Sequence, residues 1–246
     1  GRVEQTVSNT RAGTVEACRR SKLSLPIGGQ IAALHVGEGD LVEADQLLMA
    51  LWNDDRLAQV KQAKAQVRAS DRERNSICIA AASDNREAKR LSTLLKQKLV
   101  SGEQADRAQS RSEASEAACA AATARKQLSD ASLKMAEAAL AQTYLRAPFA
   151  GRVAEVTGEV GEFSTPSPPG VPTPPAIDLL TDDCHYISAP IDEVDASEIA
   201  VGMPVRVTMD AFRERDFPAT VRRISTYVLD FEKQARTVEV EAELQH

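Results

Sequence analysis

Gly29-Gln-Ile-Ala-Ala-Leu-His-Val-Gly-Glu-Gly-Asp40 decides the fold, because the chain carries a second copy of this stretch. The second copy, Gly151-Arg-Val-Ala-Glu-Val-Thr-Gly-Glu-Val-Gly-Glu162, follows at a constant offset of 122 residues. In each copy one glycine opens a strand-like run and another precedes an acidic residue; these motif glycines are Gly29, Gly39, Gly151 and Gly161. Two glycine-punctuated strand pairs of one design predict two halves of a single small β-domain.

The residues between the two copies predict a pair of long helices. From residue 41 to residue 147 the sequence has no proline and a single glycine, Gly102. Because both residue types are costly inside helices, so long a stretch with one breaker indicates helix. Gly102 lies in a segment at about 99–103 that predicts a tight hairpin turn. We therefore expect helices over roughly 54–98 and 103–144, each on the order of 65 Å long.

Apolar residues recur in both predicted helices at alternating steps of three and four. In the first they are Val60, Ala63, Val67, Ile77, Ala81, Ala88, Leu91 and Leu95, and in the second Ala105, Ala108, Cys119, Ala122, Leu133, Ala136 and Leu140. Such a repeat, sustained over several heptads, predicts an antiparallel coiled-coil hairpin. Polar residues interrupt it at Ser70, Arg74, Asp84 and Lys126.

Composition and charge exclude several classes of function. The 246 residues carry a formal net charge of -6, with both signs mixed along the helical stretch, which argues against a nucleic-acid partner. No window approaches the roughly 18 apolar residues that a transmembrane helix needs. We find no nucleophile–base arrangement, phosphate-binding loop or metal-ligand cluster. The sequence therefore predicts no catalytic residue, no metal, no cofactor and no enzymatic activity.

The four cysteines are Cys18, Cys78, Cys119 and Cys184, and no two of them form a CxxC pair. We interpret them as isolated small apolar residues. A disulfide between Cys78 and Cys119 is geometrically conceivable, because a turn near residue 100 would bring the two within one helical turn of register. The sequence alone leaves this bridge open.

The repeated motif resembles the biotinyl/lipoyl carrier domain, a flattened β-domain made of two quasi-repeats. In these carriers the two halves meet at a hairpin that bears the modified lysine. Here the corresponding segment, 52–56, reads Trp-Asn-Asp-Asp-Arg, which has no lysine and leads directly into a helix. The departure removes the swinging-arm function and makes a carrier protein the weakest alternative.

A split lipoyl-like domain with a helical hairpin in the gap resembles the periplasmic adaptors, the HlyD-type membrane fusion proteins of tripartite exporters. Further segments at 145–153, 201–207, 217–224 and 236–244 are similar to that family in their order. The resemblance implies an elongated α+β protein. A long antiparallel α-helical coiled-coil hairpin would be inserted between the two halves of a lipoyl-like β-domain, which a β-barrel domain follows.

The resemblance also implies a division into domains. The expected parts are the start of a membrane-proximal β region (1–17), the first half of the lipoyl-like domain (18–53), the hairpin (54–144), the second half (145–183) and the β-barrel domain (184–246). A proline-rich loop, 164–175, interrupts the second half. The remainder of the membrane-proximal domain would follow His246, so we expect that domain to be incomplete in this chain.

Adaptors that meet a TolC-like outer-membrane channel carry an arginine, a leucine four residues on and a serine or threonine seven beyond. This chain has Arg90, Leu94 and Ser101 at that spacing, near the predicted turn. Arg90 and Leu94 share a helix face, one turn apart. The guanidinium suits carbonyls or carboxylates at channel helix ends, and the leucine supplies an apolar knob. The resemblance thus implies that these three residues dock onto the channel.

The implied function is that of a periplasmic adaptor subunit in a Gram-negative bacterium. Its partners would be an inner-membrane transporter, ABC-type rather than RND-type, a TolC-like channel, and further copies of itself in a ring expected to be a hexamer. An N-terminal segment absent from this sequence would attach the chain to the inner membrane. The alternative is a coiled-coil scaffold or interaction module unrelated to export.

Overall fold

The computed structural model describes residues 12–166, 174–209, 212–231 and 235–244. Expectations for residues 1–11 and for the proline-rich segment 167–173 lie outside the described residues. The elements in chain order are β1 (Thr14–Ala17), β2 (Arg20–Leu23), β3 (Gly29–Leu34), β4 (Leu41–Val42), β5 (Leu47–Leu51), α1 (Asp54–Lys96), α2 (Gly102–Ala141), β6 (Tyr144–Arg146), β7 (Gly151–Val156), β8 (Phe163–Ser164), β9 (Ile177–Leu180), β10 (His185–Asp192), α3 (Glu193–Ala196), β11 (Pro204–Met209), β12 (Phe212–Phe231) and β13 (Ala235–Leu244).

Three sheets hold the described strands. The first has the order β1-β10-β13-β12-β11, the second β2-β9-β7-β4 and the third β6-β5-β3-β8. The register pairs within the first two sheets are antiparallel. Strand β13 lies at the centre of the five-stranded sheet, and Val238, Val240 and Ala242 are buried on one of its faces. Thr237 and Glu241 are buried on the other face, so the strand is covered on both sides rather than half-buried.

The sequence repeat is present in the backbone geometry. Gly39 and Gly161 both adopt left-handed φ values, 88° and 97°, which favour glycine. The acidic residue after each glycine accepts a bond from the backbone N–H three residues before it: Asp40 from Gly37 at 2.8 Å and Glu162 from Glu159 at 3.0 Å. One turn design therefore occurs in both halves.

The two halves are also joined by strand pairing. Strand β4 of the first copy pairs with β7 of the second, and Val153 bonds Gly39 and Asp40 at 2.8 and 2.9 Å. At the start of β7, a side chain on Gly151 would collide with the Leu180 carbonyl oxygen, 2.1 Å from an added Cβ. Gly29, the glycine of the first copy that corresponds to Gly151, opens β3 and lies against the Leu51 side chain. Close backbone approach thus explains Gly151, and turn geometry explains Gly39 and Gly161.

Helices α1 and α2 contain 43 and 40 residues, and the structure confirms the predicted helices to within three residues at each end. They pack against each other in antiparallel directions, as ion pairs between Lys64 and Glu137 at 3.6 Å and between Arg125 and Glu73 at 3.2 Å require. Of the apolar positions predicted for the contact, only Leu95 is exposed, at 39%.

The interpretation of the cysteines as isolated residues is wrong. Cys18 is bonded to Cys184 with the Cα atoms 5.4 Å apart, and Cys78 to Cys119 with the Cα atoms 4.8 Å apart. Antiparallel packing of α1 and α2 places Cys78 beside Cys119. The first pair meets because Cys18 follows β1 and Cys184 precedes β10, two strands that are hydrogen-bonded neighbours. A separation of 166 residues gives no sequence signal for that bridge.

The root of the helical pair is held by Thr143, which is 2% exposed. Its hydroxyl oxygen accepts a 2.9 Å bond from the Asn53 side-chain amide, and its carbonyl accepts a 2.9 Å bond from the Leu51 N–H. Asn53 occupies the N-cap position of α1 but makes no side-chain cap bond there. Its amide instead ties the beginning of α1 to Thr143, the second residue after α2.

Candidate docking site at the helical turn

The connection between the helices begins with the residues that end α1. The Leu99 N–H donates to the Leu94 carbonyl at 3.0 Å, and the Lys98 N–H donates to the Leu95 carbonyl at 2.9 Å. This bond pair is the Schellman motif, which places its C′ residue in the left-handed region. The C′ residue here is Lys98, with φ 61°. The chain therefore reverses at a lysine where glycine is usual.

This geometry corrects the predicted turn residue. Gly102 is the first residue of α2 rather than the reversal point, and it is not among the residues with positive φ. A Cβ at this position would meet nothing within 4 Å. The sequence rule that assigns a lone glycine to the turn therefore fails, because Lys98 takes the strained conformation instead.

Ser101 is the N-cap residue of α2. Its hydroxyl oxygen accepts the Gln104 N–H at 3.2 Å, while its own N–H donates to the Gln104 side-chain oxygen at 3.2 Å. This reciprocal capping box satisfies two of the free N–H groups at the helix start. The Ser101 O–H remains able to donate a bond, since a hydroxyl is both donor and acceptor.

Arg90 and Leu94 lie in the last two turns of α1. The Arg90 guanidinium is 67% exposed and binds Glu87 three residues earlier, at 2.6 Å. An exposed pair of this kind contributes little to stability, so the guanidinium can exchange Glu87 for a partner's carboxylate or carbonyl at small cost. Leu94 is half-buried.

The most exposed apolar side chain at the connection is Leu99, at 67%. Sequence reasoning did not single it out, although a residue two positions beyond a helix end is a frequent place for an apolar side chain. Leu95 adds a second exposed apolar surface, at 39%. The connection thus presents apolar surface, a cation and a hydroxyl, which suits docking of another protein.

Two further charged contacts lie in the sheets. Arg20 binds the buried Asp178 at 2.6 Å, and this contact raises the pKa of the guanidinium. The Tyr186 hydroxyl donates to Glu16 at 2.7 Å, and this bond together with burial raises the pKa of Tyr186 to about 12.

Ligand atoms of Cys18, Cys184 and Glu243 lie within 4.8 Å of one another, close enough to hold a metal ion. Both sulfurs belong to the Cys18–Cys184 disulfide, so the group offers no thiolate ligand. Among the described residues no helix is long and apolar enough to cross a membrane.

The fold defines the class. The chain has the fold of the membrane fusion proteins: it superimposes on the membrane fusion protein Spr0693 of Streptococcus pneumoniae R6 with a TM-score of 0.69 and 18% identity, covering 95% of this chain and 92% of that one.

MacA of Actinobacillus actinomycetemcomitans is similar with a TM-score of 0.78 and 18% identity, over 95% of this chain and 71% of MacA. A MacA-MexA chimera containing the α-hairpin domain of Pseudomonas aeruginosa MexA gives a TM-score of 0.67 at 19% identity, over 95% and 74% of the two chains. No protein-family profile matches the chain.

A relative by sequence is the uncharacterized protein YdhJ of Escherichia coli (strain K12). It is 27% identical over 200 residues, which represent 81% of this chain. The match spans 62% of YdhJ, so the chain corresponds to less than two thirds of that protein.

Proposed function

We propose that the chain is the periplasmic adaptor subunit of a tripartite exporter. It would bridge an inner-membrane transporter to a TolC-like outer-membrane channel, for efflux or secretion, and would carry out no chemistry itself. The observation that carries the proposal is the pair of helices, 43 and 40 residues long, inserted between two copies of one strand-and-turn motif. The shared fold with membrane fusion proteins supports the same conclusion.

In this function the motif copies form a lipoyl-like domain and α1 with α2 forms a coiled-coil hairpin. The five-stranded sheet would belong to the barrel domain. The domain limits are otherwise those expected from the sequence, with the hairpin over 54–144, but strand β1 (Thr14–Ala17), which the sequence assigns to the membrane-proximal region, pairs with β10 in the five-stranded sheet. The segment that bears the modified lysine in carrier domains is occupied here by Asn53, whose amide bonds Thr143 and ties the root of the helical pair. A carrier role therefore has no residue to support it.

Two disulfides support a periplasmic location. Disulfides form and persist in oxidising compartments such as the periplasm and are rare in the reducing cytosol. All four cysteines of the chain are paired, Cys18 with Cys184 and Cys78 with Cys119. Attachment to the inner membrane by an N-terminal segment is part of the same proposal.

The partners follow from the reach of the hairpin. Helices of about 60 Å give the hairpin a long reach, and this length favours an ABC-type transporter over an RND-type one. Further copies of the chain would complete a ring, expected to be a hexamer. Arg90, Leu94 and Ser101 at the turn would meet the channel.

The test is a double substitution at the turn, Arg90→Glu with Leu94→Ser. It reverses the exposed cation and removes the adjoining apolar side chain without touching the Ser101 capping box. We expect export and co-purification of the channel to be lost, while circular dichroism keeps its helical signal.

Arg107→Glu is the matched control. Arg107 is 77% exposed and pairs with Glu103 on its own helix, much as Arg90 pairs with Glu87. Export should survive this change. If instead the double variant exports and captures the channel as well as the unmodified chain does, docking through these residues is wrong, and a scaffold unrelated to export becomes the better explanation.

A further inference from the structure

The Cys18–Cys184 disulfide lies beside a row of polar side chains on the five-stranded sheet. Tyr186 of β10 is the register partner of Glu16 on β1 and of Glu243 on β13, and register partners point to the same face of a sheet. The bridge joins the residue after β1 to the residue before β10, and both cysteines are half-buried. Neither cysteine is enclosed in the core, and access is one condition for exchange with an external thiol.

A β-bulge brings one arginine to this bridge. In β12, Val221 and Arg223 pair with consecutive residues of β13, so Arg222 is an extra residue between them. A bulge re-aims a side chain, and bulges are frequent next to reactive sites. The Arg222 side chain reaches the disulfide, where its Nη1 lies 3.6 Å from the Cys18 sulfur.

Two contacts fix the orientation of the Arg222 guanidinium. Its Nε donates a 2.9 Å bond to Glu241, and its central carbon lies 3.9 Å from the centroid of the Tyr186 ring. The Glu241 side chain is only 7% exposed and also binds Arg223 at 3.3 Å. One carboxylate therefore serves two guanidinium groups, and the three side chains together keep a net positive charge.

The two sulfurs of the bridge have different electrostatic surroundings. The Cys18 sulfur has the Arg222 cation beside it, whereas the Cys184 sulfur lies 3.8 Å from a carboxylate oxygen of Glu243. A neighbouring cation favours a thiolate, and a neighbouring carboxylate disfavours one. When the S–S bond breaks, the sulfur that forms the more stable thiolate leaves faster. Cys18 is therefore the better leaving group, and Cys184 is the sulfur that an incoming thiolate attacks.

We propose that Cys18–Cys184 is a thiol–disulfide exchange site that reacts with an external dithiol. One thiolate of the dithiol attacks Cys184 and forms a new S–S bond, while the Cys18 sulfur leaves with the electron pair as a thiolate paired with Arg222. The second thiol of the dithiol then attacks its own sulfur in this mixed disulfide, and Cys184 leaves and takes up a proton. The dithiol is oxidised to a disulfide and the two cysteines are reduced. This reaction does not depend on the proposed export function.

The surrounding sheet allows the exchange to be local and reversible. Strands β1 and β10 pair through four residues of each strand, and the Cys18 N–H donates a 3.0 Å bond to the Cys184 carbonyl. These backbone contacts do not require the S–S bond, so they hold the two cysteines side by side after reduction. The bridge can then close again without refolding of the sheet.

The second disulfide of the chain provides an internal comparison. Cys78 and Cys119 are also half-buried, and they join α1 to α2. Among the contacts of the described residues, no arginine or lysine is bonded to either of these sulfurs. The two bridges thus have similar exposure but differ in the presence of a cation, so Cys18–Cys184 should exchange faster.

The experiment treats the folded 246-residue chain with mercaptoethanol, a neutral monothiol that has no second thiol to release the mixed disulfide. Samples are quenched at early times with N-ethylmaleimide, and the position of each adduct is mapped by mass spectrometry. We expect mercaptoethanol on Cys184 and maleimide on Cys18, in roughly tenfold excess over the reverse arrangement. Cys78 and Cys119 should react more slowly.

Arg222→Gln tests the role of the cation. It should slow exchange at this bridge roughly threefold and reduce the excess of adduct on Cys184, and Arg222→Lys should restore much of both. A purely structural role predicts the opposite sign, because a loosened sheet exposes the sulfurs and speeds exchange. Arg223→Gln is the matched control, since it removes the other partner of Glu241 and should leave the rate and the adduct position unchanged.

Glu243→Gln tests the site without altering the arginine, so it also serves if Arg222→Gln fails to fold. It removes the negative charge that opposes an incoming thiolate, and it should raise the exchange rate roughly twofold.

Several results would overturn the proposal. Equal labelling of the two cysteines, or an adduct mainly on Cys18, would show that the cation does not select the leaving sulfur. Equal rates at the two bridges, exchange in Arg222→Gln as fast as in the unmodified chain, or no acceleration by Glu243→Gln would show that the charges around the bridge do not control its reactivity.

Discussion

Lys98 adopts a left-handed backbone that a lysine rarely takes, and Lys98→Gly tests the consequence. A side chain in the left-handed region costs about 1–2 kcal/mol. Lys98 is held there, at φ 61°, by the bonds of Lys98 and Leu99 to the last carbonyls of α1. Glycine would remove the strain but would lose about 0.5–1 kcal/mol more conformational entropy on folding. We therefore expect Lys98→Gly to raise the free energy of unfolding by roughly 0.5–1 kcal/mol.

The same substitution two residues earlier, Lys96→Gly, should change the free energy of unfolding in the opposite direction. Lys96 is the last residue of α1, with helical backbone, so Lys96→Gly gains no relief of strain. It should lower the free energy of unfolding by up to about 1 kcal/mol, the difference between glycine and good helix formers. Lys98→Ala is a second control, because it removes the charge and keeps the Cβ that causes the strain. It should give none of the stabilisation.

The assay is urea unfolding of the three variants, followed by circular dichroism at a helix-sensitive wavelength, because α1 and α2 supply most of the helix among the described residues. The predicted order of midpoints is Lys98→Gly, then the unmodified chain, then Lys96→Gly. If Lys98→Gly unfolds as early as Lys96→Gly, the left-handed conformation carries no strain and the Schellman interpretation is refuted. Equal stabilisation by Lys98→Ala would assign the effect to the charge instead.

Three further predictions concern the disulfides, the hairpin root and the sheet. Removing the interhelical disulfide, as Cys78→Ala with Cys119→Ala, should cost about 4 kcal/mol by the loop-entropy relation for a separation of 41 residues, measured as a lower thermal midpoint of the helical signal. Thr143→Val should cost about 1–3 kcal/mol, because the Asn53 amide loses its acceptor, and Thr143→Ser should retain most of the stability in the same melt. Because the pKa of Tyr186 is raised to about 12, its contribution to stability is complete below pH 10 and is lost as the pH rises through about 12. Unfolding midpoints of Tyr186→Phe measured across that range should fall less steeply than those of the unmodified chain, and parallel curves would contradict the assignment.

The sequence carries the local features of this fold because they depend on short-range rules. The motif glycines predict the turns at Gly39 and Gly161, which do adopt left-handed φ. The alternating steps of three and four identify the residues through which α1 and α2 contact each other. Buried Ser112 and Ser129 occupy steps of the same repeat, but an apolar-only search passes over them.

The features that the sequence misses depend on long-range packing or on choices between near-equal conformations. The Cys18–Cys184 bridge needs two strands 166 residues apart to be neighbours. The turn at Lys98 is chosen over Gly102 because the Schellman bonds and the Ser101 capping box fix where each helix ends. Leu99 is exposed only because the chain reverses just before it.

The contact between α1 and α2 shows why a few residues must set its register. Its buried members are mostly small, including Ser70, Ala81, Ala88 and Ala122, and small side chains bury little apolar area. A slip of one heptad would keep the 3–4 repeat aligned, so burial alone distinguishes the two arrangements weakly. The slip would move the helices by about 10 Å, which exceeds the roughly 7 Å within which two Cα atoms can share a disulfide.

Asp84 also favours the native register of the two helices over a slipped one. Its side chain is 19% exposed and binds Arg111 of the facing helix at 3.1 Å, as well as the Ser115 hydroxyl. A slipped register would leave this carboxylate half-buried without those partners, which is costly. The Cys78–Cys119 disulfide and the Asp84 contacts therefore specify a register that the alanine-rich surface could not specify by itself.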